Sequence, residues 1–167
     1  KPLKSLSYDN TGKLLIACCA DGSVSIHNAA RQHLPIKMMH LELAPEFVHV
    51  AFSERTLADA DFLNQKFALM GEYGNNINIY DTETFMIHHQ IMINNIVKSF
   101  KFANNNRDLV VITKDCKIRF YSLMKYDGIF LREVANCHRG GITGMSISGN
   151  SGYFLTGGED NMVKIWD

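Results

Sequence analysis

One alternation of polar and apolar positions occurs four times along the chain. The copies read Asp21-Gly-Ser-Val-Ser-Ile-His-Asn28, Gly74-Asn-Asn-Ile-Asn-Ile-Tyr-Asp81, Asp115-Cys-Lys-Ile-Arg-Phe-Tyr-Ser122 and Asp160-Asn-Met-Val-Lys-Ile-Trp-Asp167. A period of two predicts a β-strand, and the leading Asp or Gly predicts a tight turn in front of it. The fourth, sixth and seventh positions are apolar or aromatic in every copy except at His27.

A second pattern precedes each copy. It comprises Leu3, Leu6, Tyr8 and Asp9; then Phe47, Val50, Phe52 and Ser53; then Val97, Phe100, Phe102 and Ala103; then Ile142, Met145, Ile147 and Ser148. Its last residue stands 12 positions before the turn residue in copies one, three and four, and 21 before it in copy two. Between the two patterns lie more continuous apolar runs, Leu14 to Ala20, Phe67 to Met70, Leu109 to Ile112 and Tyr153 to Leu155. Near-continuous apolarity predicts strands covered on both faces. A fourth, variable segment follows in three copies, within Ile36 to Leu43, Phe85 to Ile93 and Ile129 to Val134.

Each unit therefore holds about four short strands, and successive turn positions Asp21, Gly74, Asp115 and Asp160 are 53, 41 and 45 residues apart. That spacing, ending on Trp166-Asp167, is the signature of propeller blades. The residues resemble the WD-repeat family over the whole chain, most closely from His138 to Asp167. The expected fold is all-β: a partial β-propeller of about four four-stranded antiparallel blades, with the rest of the ring in chain beyond this sequence. The units run approximately 1–28, 29–81, 82–122 and 123–167. The stretches from His138 to Ser148 and Gly152 to Asp160 also resemble WD-repeat proteins of centriole walls and axonemes. That resemblance implies a structural role in a microtubule-based assembly, and a cytoplasmic or cytoskeletal location in a cilium or centriole.

The WD-repeat resemblance implies a structural hydrogen-bond set of His138, Thr156, Asp160 and Trp166. A buried indole N–H needs an acceptor and a buried carboxylate needs donors. Copy one has Ala17 and His27 at the Thr and Trp positions, and copy three has Ile93, Val111 and Tyr121 at the three non-Asp positions. Those blades are expected to rely on apolar packing. A nucleophile, base and orienter could be assigned to Thr156, His138 and Asp160, but the repeat itself accounts for their spacing, and no enzyme activity is expected. The innermost segments Val97 to Phe102 and Ile142 to Ile147 contain no carboxylate that a site in a central channel would use.

Composition narrows the partners. Seventeen basic side chains balance seventeen acidic ones, so there is no global attraction to nucleic acid or to an anionic membrane. The longest uncharged apolar-leaning run, Phe85 to Val97, is too short to span a bilayer. Cys18, Cys19, Cys116 and Cys137 have neither disulfide-framework nor zinc spacing, which points to a reducing compartment. His88 and His89, adjacent on a strand, should point to opposite faces of an exposed edge, so no metal site or other cofactor is expected. What remains is binding to other proteins in a larger complex, as a scaffold. A substrate adaptor or signalling-complex subunit is the alternative, and a channel-site enzyme a more distant one. The nine-residue excess of copy two falls within Glu54 to Gln65 and carries Leu57, Phe62 and Leu63 among charges, a candidate partner-binding loop.

Overall fold

The computed structural model describes residues 2–9, 11–41, 50–52, 66–70, 76–103, 107–125 and 127–167. Their strands form four antiparallel sheets in sequence order. The first holds β1 (Leu3–Tyr8), β2 (Leu14–Cys19), β3 (Ser23–Asn28) and β4 (Leu34–His40). The second holds β5 (Val50–Phe52), β6 (Lys66–Met70), β7 (Asn76–Asp81) and β8 (Ile87–Met92). The third holds β9 (Val97–Ala103), β10 (Asp108–Thr113), β11 (Ile118–Ser122) and β12 (Ile129–Val134). The fourth holds β13 (Ile142–Ile147), β14 (Phe154–Gly158) and β15 (Val163–Trp166), three strands rather than four.

The leading residues of the repeated segment do make tight turns in copies one, three and four. The amides of Gly22, Cys116 and Asn161 donate to the carbonyls of Cys19, Thr113 and Gly158 at 3.1, 3.1 and 3.2 Å. Each donor residue has positive φ, at 83, 60 and 60°. A four-residue turn followed by a left-handed residue is a common way to close a three-residue hairpin loop. Gly22 adopts that backbone at no steric cost, whereas Cys116 and Asn161 do so against the preference of L-residues.

The first strands of successive sheets approach one another, β1 to β5, β5 to β9 and β9 to β13. The sheets therefore radiate from a common inner end, as blades do, and the four do not close a ring. The fourth strand of each complete sheet, β4, β8 or β12, lies outermost. In sequence it opens the next repeat unit, so units beginning at 29, 82 and 123 each start with the outer strand of the preceding sheet.

Cores form between blades. The third sheet shows how one strand serves two of them. Along β10, Leu109 and Val111 pack with Ile77, Ile79 and Ile91 of the second sheet. The alternate residues Val110 and Ile112 pack with Ile142 and Phe154 of the fourth. Successive side chains of a strand point to opposite faces, so a strand between two neighbours must be apolar at successive positions, as β10 is from Leu109 to Ile112. Each such side chain contributes roughly 1.5–3 kcal/mol when fully buried. The first sheet meets the second through Ile16, Cys18, Val24 and Ile26 against Tyr80.

The pairing has a repeated irregularity. In each complete sheet the register between third and outer strands slips by one residue, leaving Ile36, His88 and Leu131 as the extra residue of a β-bulge. A matching slip between first and second strands singles out Lys4, Lys98 and Thr143 in the first, third and fourth sheets.

The bulge at His88 corrects the expectation for the histidine pair. An extra residue breaks the alternation that would send neighbours to opposite faces. The rings of His88 and His89 instead touch, Nδ1 to Nδ1 at 2.7 Å. β8 is the edge strand of its sheet, but the His89 side chain is covered. It is 3% exposed, and its Nε2 bonds the Leu123 carbonyl of the third sheet at 2.9 Å.

Candidate functional site

Four of the residues singled out from the sequence form one hydrogen-bonded chain in the fourth sheet. His138 precedes β13, Thr156 lies in mid-β14, Asp160 in the turn after it and Trp166 at the end of β15. His138 Nδ1 lies 2.8 Å from Asp160 Oδ1, and Nε2 lies 2.7 Å from Thr156 Oγ1. The indole N–H of Trp166 donates to the same Oγ1 at 2.9 Å. One assignment of protons satisfies every group: indole N–H to Thr156, Thr156 O–H to Nε2, and Nδ1–H to the carboxylate. Asp160 also accepts from the amides of Arg139 and Met162 at 3.1 and 3.2 Å. Desolvation acts to raise its pKa, but the His138 bond and the two amides prevail and hold it down at about 2.

Thr156 has no exposed surface, and both His138 and Trp166 occupy its hydroxyl. This is a clamp across three segments, with no open side from which a substrate could reach the oxygen. Trp166, expected to be buried, is only half-buried. It stacks on Phe154 with ring centroids 5.8 Å apart and planes 9° from parallel, but β15 is the last strand of its sheet and no further strand flanks it. Gly158 completes the clamp. A Cβ there would lie 2.2 Å from His138 Nδ1 and 2.7 Å from Asp160 Oδ1, so only glycine lets the imidazole sit against β14.

The other turn residues are held differently. Asp21 Oδ1 accepts from the amide and hydroxyl of Ser23 at 3.1 and 2.6 Å within its own turn. Asp115 accepts from Thr113 Oγ1 at 2.5 Å and from Arg119 at 2.8 Å. Arg119 also reaches Glu133 at 3.3 Å, which pairs with Lys117 at 2.6 Å. The third sheet thus replaces the imidazole clamp with an ionic one. Sequence reasoning missed it, although Asp115 and Arg119 four positions apart on a hairpin were a signal; Glu133 depends on the β11–β12 register that sets it opposite Arg119. Ile93, Val111 and Tyr121 are buried together in the core between the second and third sheets, and His27 Nδ1 bonds the His33 carbonyl at 2.9 Å. Gly74 and the candidate loop residues Leu57, Phe62 and Leu63 lie outside the described residues.

Two kinds of surface stand open. Apolar side chains are exposed at both ends of the sheet array: Leu3, Leu6, Leu34 and Met38 on the first sheet, Val163 and Ile165 on the fourth, the last two each at 72%. A groove of about 700 Å³ also opens at the inner end, between β9 and β13, over Val97, Ile112, Ile142 and Met145. Among the described residues there is no group of three or more His, Cys, Asp or Glu placed to hold a metal, and no helix is long and apolar enough to cross a membrane.

Comparison with known proteins agrees with this geometry. The family described as WD domain, G-beta repeat matches residues 1–28 and 130–167. Cilia- and flagella-associated protein 52 of Mus musculus is 29% identical over 89 residues, 53% of this chain and 14% of that protein. WD repeat-containing protein 3 of Homo sapiens is 30% identical over 113 residues, 68% of this chain and 11% of that protein. The chain thus spans a small part of the curated relatives it matches. A chain in the crystal structure of a mitotic checkpoint complex superposes with a TM-score of 0.76 at 16% identity, over 98% of this chain and 48% of its own length. At that identity the likeness establishes the fold.

Proposed function

From its standing as a WD-repeat chain, we propose that this protein is a non-catalytic protein-interaction scaffold in a ciliary or flagellar assembly. The likeness to Cilia- and flagella-associated protein 52 carries the location. The interaction role is supported by the repeat fold, and the side chains resembling a catalytic set are locked into a buried clamp. Partners bind through blade faces and through segments that differ between repeats, among them the copy-two excursion with Leu57, Phe62 and Leu63.

The test is fractionation of ciliated cells expressing the tagged full-length protein. The scaffold should remain with the detergent-extracted axoneme and co-purify with a fixed set of proteins. Recovery solely in the soluble fraction, as a single species without partners, would sink the reading. Within that experiment Phe62→Ala should reduce retention and leave thermal stability unchanged.

A further inference from the structure

We infer that the groove between β9 and β13 is a docking site for an acidic peptide segment with an apolar anchor, contributed by a protein partner. This rests on the scaffold reading and names the chemistry of one of its partners. The groove has an apolar floor, Val97, Ile112, Ile142 and Met145, and its lining includes Lys98, Lys101 and Lys114 but no carboxylate. The three lysines are exposed. Glu159 stands near Lys98 across Gly141, where a Cβ would meet the Glu159 carboxylate at 2.5 Å and Lys98 Nζ at 3.1 Å. Among the described residues no ion pair joins Lys101 or Lys114 to an acid, whereas Arg119 on β11 and Lys117 just before it in the same sheet are both paired.

That contrast argues for an acidic occupant. The chain is neutral overall, so the lysine surplus at the groove is local and leaves positive potential concentrated over an apolar floor. Charges arranged this way select complementary partners and speed their encounter. The bulge at Lys98 contributes directly. In a regular strand Lys98 would face away from its neighbours Val97 and Ser99, but with the register slipped between Ile112 and Thr113, all three line the groove. A groove of about 700 Å³ admits a large side chain with its flanking backbone. A small inorganic anion would use the lysines and leave the floor unfilled.

The test is a fluorescence-anisotropy titration of the full-length protein with three labelled peptides: one of Glu and Ser with a central Leu, its all-Ser analogue at the Leu position, and its Lys counterpart. The Glu–Leu peptide should bind, the Lys peptide should not, and loss of the Leu should weaken binding. The triple variant Lys98→Gln, Lys101→Gln, Lys114→Gln should lose at least about tenfold in affinity, and the triple Arg variant should retain it with an unchanged melting temperature. No binding of the Glu–Leu peptide, while native partners are still recovered, overturns the groove assignment and leaves the scaffold standing. Equal binding with and without the Leu, abolished by pyrophosphate, also overturns it, because the groove would then be an anion site. Peptide binding by a protein that recovers no partners from cells supports the groove while removing the scaffold reading.

Discussion

The Thr156 hydroxyl lies between two rings, 2.7 Å from His138 Nε2 and 2.9 Å from Trp166 Nε1. Its removal breaks both contacts at once. Thr156→Val should cost about 1–3 kcal/mol, because it leaves a buried nitrogen without its partner. Trp166→Phe keeps much of the stacking on Phe154 and should cost about 0.5–1.5 kcal/mol. Chemical denaturation of the full-length protein should show the double variant less destabilised than the sum of the singles. Additive losses would mean that the hydroxyl and indole do not act as one unit.

Gly158 is a steric prediction. A methyl at that position collides with the His138 ring and the Asp160 carboxylate, so Gly158→Ala should destabilise by about 1–3 kcal/mol, as overpacking does. Combining it with His138→Ala removes the nearer obstacle, the imidazole. The second substitution should then cost less in the Gly158→Ala background than alone, read from urea midpoints.

Asp160 sets a pH dependence with a definite sign. Its folded pKa, about 2, lies below its ordinary value of 3.8. Between the two, the unfolded chain binds more protons than the folded one, so stability falls as pH falls. The stabilisation is fully present above about pH 4 and is lost as pH drops through about 2. The urea midpoint of the wild type should approach that of Asp160→Asn across this window, and a constant difference between them would remove the carboxylate from the account.

Cysteine reactivity should divide by burial. None of the four cysteines is in a disulfide, and Cys18 and Cys137 are buried. Burial first, and then the neighbouring Cys19 thiol, push the Cys18 thiol up to about 12. The thiolate is the reactive form, so mild alkylation at pH 8 should modify Cys19 and Cys116 and spare Cys18 and Cys137. Mass spectrometry of the digested native protein reads the result.

The repeated segments placed β3, β7, β11 and β15 within a residue or two, because period-two alternation is a local property of a half-covered strand. The all-apolar run at Leu109 to Ile112 likewise announced a strand between two neighbours. The spacing of His138, Thr156 and Asp160 was legible through the family resemblance. What escaped the sequence depended on register. Glu133 opposes Arg119 only through the β11–β12 pairing, and a one-residue slip turns His89 inward. Lys98 was visible in the chain, but nothing local said that a bulge would set it over the same groove as Val97 and Ser99. Trp166 was overestimated for a related reason: its cover depends on what flanks the last strand.

The slipped register of β4, β8 and β12 also limits how anything can attach at the rim. An outermost strand offers unpaired amides and carbonyls, and an extended segment from another molecule could continue the sheet by one more strand. Such an addition must stay in step along its whole length. Ile36, His88 and Leu131 each insert one residue that throws the step off midway. Backbone-to-backbone attachment is thus discouraged along the outer strands of the three complete blades, and recognition there falls to side chains.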